Sequence, residues 1–283
     1  MLLQEYIGVT AAIGAAVFFS ASRILVRLGL KAGYVEQAHF ISVLMNNLIL
    51  WPIAIYYTYF TNTFPNSISL MIFLMAGFFA TGLGRLLTFS TLYKLTATES
   101  TPFVSISPLF ASMIAVFFMN ETITTNLLIG IILIITGLLT VSKIQGNGKR
   151  LAFLVGIAAS FFYSVGEVLR KYGTLITPNP PIGAAIGSLS ALIFLPFYRT
   201  GRTNNFGMNK FFCLSGISTS IALLLVFISY ATAPLVIAVP LINTAPVFTL
   251  FLGYLIAGRS EEFGLKIIAG SLMTMTGVIF IVI

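Results

Sequence analysis

The feature that most constrains this fold is an internal repeat laid across an odd number of apolar runs. Ala15-Ala16-Val17-Phe18-Phe19 recurs as Ala158-Ala159-Ser160-Phe161-Phe162, and Arg27 falls on Arg170 in the same ungapped register. Pro102 and Pro108 recur as Pro240 and Pro246, and Glu121, Gly130 and Thr136-Gly137 recur as Glu261, Gly270 and Thr276-Gly277. If each half holds five membrane spans, the second half enters the bilayer from the side opposite the first. Two oppositely oriented halves around a central site are an architecture of alternating-access carriers.

Composition makes the membrane reading firm. The chain is 58% hydrophobic and only 8% charged, far less charged than a soluble domain. Its 283 residues leave room for about ten helices of roughly 20 residues plus short loops, with no soluble domain beside them. The predicted class is an all-α membrane protein of ten transmembrane helices, arranged as two inverted five-helix repeats over residues 1–143 and 151–283 with a linker at 144–150. The spans read as Tyr6–Leu30, Gln37–Tyr59, Leu70–Tyr93, Ser100–Met119, Asn126–Val141, Leu151–Lys171, Pro181–Tyr198, Phe211–Tyr230, Pro234–Ala257 and Phe263–Ile283. Helices are favoured over strands because barrel strands would alternate over about ten residues, and backbone groups in lipid must be satisfied within the segment. The first apolar run lacks a basic leader and a cleavage site, so it reads as a retained span. Gly77, Gly82 and Gly84 in the third span read as close-packing positions.

The net charge of +8 does not predict nucleic-acid binding, because the basic residues cluster at span ends, where they orient a membrane protein. Lys31, Lys94, Lys143, Lys149, Arg150, Arg199, Arg202, Lys210, Arg259 and Lys266 fall on one side; Arg170 and Lys171 fall on the side of the termini. By this distribution the central loop is cytoplasmic and both termini are outside.

At the fourth and fifth spans, Ser107-Pro108-Leu109-Phe110, Phe117-Phe118-Met119-Asn120-Glu121, Gly130 and Thr136-Gly137 resemble the signature of EamA-type transporters of the drug/metabolite transporter superfamily. The second half repeats it as Ala245-Pro246-Val247-Phe248, Glu261, Gly270 and Thr276-Gly277, with two extra residues before Glu261. The resemblance covers essentially the whole chain. It implies ten helices, inverted halves, a central cavity and export of small metabolites such as amino acids from a cell membrane. It also implies cytoplasmic termini, against the charge distribution, so sidedness stays open.

Arg85 is the sharpest candidate for solute binding. It lies nine residues before Lys94, about 13 Å inside the membrane at 1.5 Å per residue. A charge at that depth costs at least about 2.5–3.5 kcal/mol unless it faces water or a partner. Arg23 is about 12 Å from the same face, and Asn46 and Asn47 reach about 14–15 Å. Asn243 approaches mid-depth from the other side. These residues form a polar layer suited to a small solute with an anionic group, with Arg85 and Arg23 in contact with it. Ser107, Thr244, Tyr93, Tyr163 and Tyr230 are further hydrogen-bonding candidates, the tyrosines near span edges reading also as interface anchors. The competing reading is a structural one: arginines bonded to carbonyls or buried in pairs, and Arg23 paired with Arg27 along a wet vestibule.

Glu167 has two readings. It could be a proton or cation site, or it could pair with Arg170 and Lys171 three and four residues on, which are favourable helical spacings. Pro102, Pro108, Pro240 and Pro246 each remove a donor and free an upstream carbonyl. Their six-residue spacing in both halves predicts paired bends lining one cavity, or rigid packing kinks.

Several classes are set aside. One histidine, His39, and one cysteine, Cys213, give no metal site of the usual zinc type and no disulfide. No phosphate loop and no nucleophile–base–acid set is visible, so the chain is not expected to be an enzyme, and no cofactor is expected. The expected partners are a small-molecule solute, membrane lipid and protons as a coupling ion, with no nucleic acid, in a monomer or homodimer. A facilitative exchanger of anionic or phosphorylated solutes is the alternative carrier; a membrane scaffold or sensor would not explain the polar layer.

Overall fold

The computed structural model describes residues 2–110, 113, 125–142, 147–194, 209–257 and 264–282. Among them every regular element is helical. The first half contains α1 (Leu2–Gly29), α2 (Val35–Thr61), α3 (Ser67–Ala76), a π-helical stretch Gly77–Gly84, α4 (Arg85–Lys94), α5 (Ala97–Val104) and α6 (Thr125–Ser142). The second contains α7 (Asn147–Ile176), α8 (Pro180–Ser190), a short 3-10 turn Ala191–Phe194, α9 (Lys210–Thr232), α10 (Leu235–Ile242), α11 (Ala245–Leu252), a π-helical stretch Gly253–Ala257 and α12 (Leu265–Val282).

Several helices start where side chains replace missing backbone acceptors. Asn66 accepts from the Ser69 amide at 2.8 Å, and Asn179 accepts from Ile182 N at 3.1 Å ahead of Pro180 and Pro181. Thr96 and Glu99 form a reciprocal capping box at α5, satisfying two otherwise orphaned donors. α2 ends on Asn62 at φ 52, a left-handed cap that asparagine tolerates.

Among the described residues six helices are long and apolar enough to cross a membrane: Tyr6–Gly29, Val35–Thr61, Ser67–Lys94, Lys149–Ile176, Lys210–Thr232 and Ile237–Ile256. Three shorter apolar helices join them, Leu128–Gly137, Pro180–Ile193 and Leu265–Phe280. The predicted fourth span runs out of the described residues after 113, and the seventh after 194. The motif residues Phe117 to Glu121 and Glu261, and the loop cations Lys143, Arg199, Arg202 and Arg259, lie outside the described residues.

The two halves meet through reciprocal contacts. Phe212 of α9 packs on Gly29 of α1, and Phe73 of α3 packs on Gly173 of α7. A Cβ on Gly137 of α6 would lie 2.7 Å from the Gly270 carbonyl of α12, and one on Gly277 would lie 2.7 Å from the Gly130 carbonyl. A pair in which i meets j and the equivalent of j meets the equivalent of i is the mark of a two-fold relation. α6 and α12, equivalent in the repeat, run antiparallel, since 137 meets 270 while 130 meets 277. α2 and α8 do the same, with Asn47 beside Ser188 and Asn179 beside Thr58. The pseudo-two-fold axis therefore crosses the helices.

Two sequence expectations need correction. The sixth helix does not end at Lys171; it continues to Ile176, because Tyr172-Gly173-Thr174-Leu175-Ile176 still packs a helical face, with Gly173 against Phe73 and Thr174 buried. Arg170 is thus 5% exposed inside the bundle and not a loop cation at the membrane edge. Residues 147–150 of the expected linker are also helical, and Lys149 reaches Glu99 at 3.1 Å.

Candidate functional site

The proline pairs mark where helices break. α5 ends at Val104, Ser105 adopts φ −96 and ψ 16, and the chain is helical again over 107–110. α10 ends at Ile242, Asn243 and Thr244 have ψ 5 and 0, and α11 begins at Ala245. Each break lies between the two prolines of its pair, Pro102 with Pro108 and Pro240 with Pro246. The second proline of each pair has no N–H for the carbonyl four residues earlier. The π-helical stretch in the third span comes just before Arg85; such turns widen the ladder and redirect carbonyls.

Between the breaks and the long helices lies a cavity of about 700 Å³ with its mouth included, of which the centre of a water molecule can occupy about 50 Å³. One water needs about 10–15 Å³ by that measure, so the space suits a few waters or a small solute. Its walls carry Arg23 and Ser22 from α1, Arg85 and Thr88 from α4, Val104 and Ser107 at the first break, Tyr163, Glu167 and Arg170 from α7, Thr219 and Tyr230 from α9, and Ile242 and Asn243 at the second break.

Of the sequence candidates, Arg85, Arg23, Ser107, Tyr163, Asn243 and Glu167 line this space. Asn46, Asn47, Thr244 and the four prolines are not among its walls. Asn46 is fully buried behind Arg85. Its amide nitrogen faces the Gly216 and Ser42 carbonyls at 2.9 and 3.1 Å, so its oxygen accepts from Arg85 Nη1 at 2.7 Å and Nη2 at 3.1 Å. Asn47 turns the other way. It donates to Ser188 Oγ at 3.1 Å and accepts from Trp51 Nε1 at 3.1 Å, binding α2 to α8. Thr244 donates to the Leu241 carbonyl at 2.7 Å and shapes the break.

Arg23 reaches Ser105 Oγ at 3.4 Å, and Arg85 Nη1 lies 3.4 Å from Ser42 Oγ. Both contacts are longer than a strong hydrogen bond. Tyr163 OH accepts from Thr88 at 3.3 Å. Ser107 Oγ sits 3.1 Å from Glu167 Oε1 and 3.3 Å from Asn243 Oδ1, tying the long helix α7 to both breaks. The predicted pairing of Glu167 with Arg170 and Lys171 does not form. Among the described residues the one ion pair within 4.0 Å is Lys149–Glu99. Arg170 instead donates to Thr81 Oγ1 at 3.1 Å and lies 5.8 Å over the Phe227 ring. Lys171 donates to the Tyr230 and Ala233 carbonyls at 2.6 and 3.1 Å.

Arg170 is a wall residue that the charge distribution sets at a span end, and Tyr230, a hydrogen-bonding candidate of the sequence, also lines the cavity. The repeat register carried a signal for the first, since Arg27 was read as lying within a span and Arg170 is its counterpart. His39 is buried, with Nε2 3.0 Å from the Thr81 carbonyl. Among the described residues no group of three or more His, Cys, Asp or Glu could hold a metal.

A model of the EamA-like transporter family matches residues 6–143 and again 150–283. A solved structure described only as the crystal structure of a protein covers 98% of this chain and 96% of its own, with a TM-score of 0.65 at 14% identity; that likeness concerns the fold alone. No curated protein matches the chain significantly.

Proposed function

From the premise that the chain belongs to the EamA-like transporter family, we propose that it is a secondary active transporter that exports a small polar metabolite, such as an amino acid, across the cell membrane. Ten transmembrane helices in two inverted five-helix repeats, 1–143 and 151–283 about a linker at 144–150, would rock around the central cavity. A multi-pass membrane protein of a transporter family takes a small-molecule solute.

The observation that carries the reading is the setting of Arg85. It is 4% exposed, lies in the middle of an apolar membrane-length helix, and lines a cavity large enough for a small solute. Insertion of such a charge costs at least about 2.5–3.5 kcal/mol unless a partner or water offsets it. Asn46 supplies a neutral acceptor that orients the guanidinium at the cavity wall. Arg23 would contact the same group. The Tyr163 and Tyr230 hydroxyls on the cavity wall offer acceptors for the donors of a polar metabolite.

The test is solute flux in proteoliposomes containing only this protein, screened with radiolabelled amino acids. Wild-type vesicles should accumulate or exchange a member of the panel, and Arg85→Met should abolish that flux while eluting as folded protein. Undiminished flux in Arg85→Met would reject the assignment.

A second reading has its own support. Three guanidiniums, Arg23, Arg85 and Arg170, face one carboxylate, Glu167, in the cavity wall. That balance suits a facilitative exchanger of phosphorylated or otherwise anionic solutes. Flux that requires a solute on the far side and ignores a pH gradient would favour it.

A further inference from the structure

Where the two broken helices meet α7, acceptors outnumber donors. Glu167 presents two carboxylate oxygens. Asn243 presents its amide oxygen, because its nitrogen donates to the Val239 carbonyl at 2.9 Å. Ser107 has one hydroxyl proton to share between Glu167 Oε1 and Asn243 Oδ1. Glu167 Oε2 has no hydrogen-bond partner among the described residues, although the residue is 7% exposed and faces the cavity. A buried acceptor left unmade is costly, more so when it is charged.

The backbone adds negative charge at the same place. The half-helices α5 and α10 end at Val104 and Ile242, and both residues line the cavity. Pro108 and Pro246 withhold the amides that would have bonded the carbonyls of these two residues. The carboxyl end of a helix carries partial negative charge, and unwound carbonyls with half-helix carboxyl ends are how several carriers hold their coupling ion.

The geometry points to a binding site for one small monovalent cation, sodium or the proton, formed by Glu167, Ser107 and Asn243 at the carboxyl ends of α5 and α10. The inference rests on the transport reading and deepens it by assigning the coupling ion a place. A single carboxylate among neutral oxygens does not suit calcium or magnesium, whose sites draw on more carboxylates or on phosphates. The absence of thiol and imidazole from the cluster does not suit softer metals.

The surrounding charges set how the site would work. The titratable groups on the walls around it are Arg170 and Tyr163 on α7, Tyr230 on α9, Arg85 on α4 and Arg23 on α1, with Lys171 four residues beyond Glu167. Arg170 and Lys171 spend donors on Thr81 and on the carboxyl end of α9. Their positive charge disfavours a lone cation. An anionic solute held by Arg23 and Arg85 would offset it. Solute and cation then raise each other's affinity, by the same factor in both directions, which is the thermodynamic requirement for coupling.

The test uses the purified full chain and needs no solute. Equilibrium binding of radioactive sodium is measured beside potentiometric proton uptake, on wild type, Glu167→Gln and Ser107→Ala. Wild type should bind one sodium ion saturably and be displaced by protons, or take up one proton with no effect of sodium; the pattern tells the two ions apart. Glu167→Gln should lose the binding. Ser107→Ala should weaken it about tenfold, equivalent to about 1.4 kcal/mol. Binding of neither ion, or binding unchanged in Glu167→Gln, overturns the proposal. If Glu167→Gln does not fold, Ser107→Ala and Asn243→Ala keep the carboxylate and carry the comparison; unchanged affinity in both overturns it. Glu167-dependent cation binding in a protein that carries no solute would sustain this site and fail the transport reading alone.

Discussion

Asn46 turns its amide oxygen to Arg85, 2.7 Å from Nη1 and 3.1 Å from Nη2. The orientation follows from the other end of the amide. Ser220 gives its only hydroxyl proton to the Gly216 carbonyl at 2.9 Å, so Ser220 Oγ accepts from Asn46 at 3.1 Å, as do the Gly216 and Ser42 carbonyls. A buried amide with acceptors on one side and a guanidinium on the other has one satisfied arrangement. Asn46 therefore holds Arg85 in place from behind the cavity wall.

Asn46→Ala should leave a buried guanidinium short of an acceptor at 2.7 Å. The expected loss of stability is about 1–3 kcal/mol, read as a lower unfolding midpoint in detergent. Solute half-saturation should rise while the maximal rate changes less, because the guanidinium is displaced and still present. A variant with wild-type half-saturation would show that Asn46 does not position Arg85.

Glu99 serves two partners, and two substitutions separate them. It caps α5 through the Thr96 amide at 2.8 Å and pairs with Lys149 at 3.1 Å. Glu99→Gln keeps an oxygen for the cap and removes the charge and the acceptor that face Lys149. Glu99→Ala also loses the cap, a further cost of about 0.5–2 kcal/mol. Thermal unfolding should rank wild type above Glu99→Gln and Glu99→Ala lowest; equal midpoints for the two variants would contradict the double role.

Gly137 and Gly277 should respond alike to substitution. Each faces the other half's carbonyl at 2.7 Å from an added Cβ, closer than side chains tolerate against backbone. Alanine at either position should overpack the α6–α12 contact and cost about 1–3 kcal/mol. A large cost at one glycine and none at the other would break the reciprocal relation between the halves.

The first helix of each half clamps the carboxyl end of that half's third span. Arg27 donates to the Leu92 and Tyr93 carbonyls at 2.9 and 3.2 Å, and Lys171 to those of Tyr230 and Ala233 at 2.6 and 3.1 Å. Cations at helix carboxyl ends are favourable. With Cys213 replaced by alanine, a cysteine at 93 should label faster in Arg27→Met and one at 233 faster in Lys171→Met. Faster labelling at both sites in either variant would point to global loosening instead of local release.

The linear chain alone determined the class and the repeat. Hydrophobic content, the lengths of the apolar runs and the recurrence of proline, glycine and arginine are properties of order along the chain, so they were legible before any fold. Depth was legible too, because a helix rises a constant 1.5 Å per residue; that placed Arg85 at mid-membrane. Rotation about the helix axis was not. Asn46 and Asn47 share a depth but point about 100° apart, so one faces Arg85 and the other faces α8, and only the packing of neighbours selects which. The end of α7 was also hidden. Charge suggested a stop at Lys171, but a guanidinium can stay inside when neighbouring helices offer a hydroxyl and an aromatic face, as Thr81 and Phe227 do for Arg170. The meeting of Glu167, Ser107 and Asn243, separated by up to 136 positions, belongs wholly to tertiary structure. Nothing local in the sequence encodes a contact whose partners are brought together only when the two halves fold onto each other.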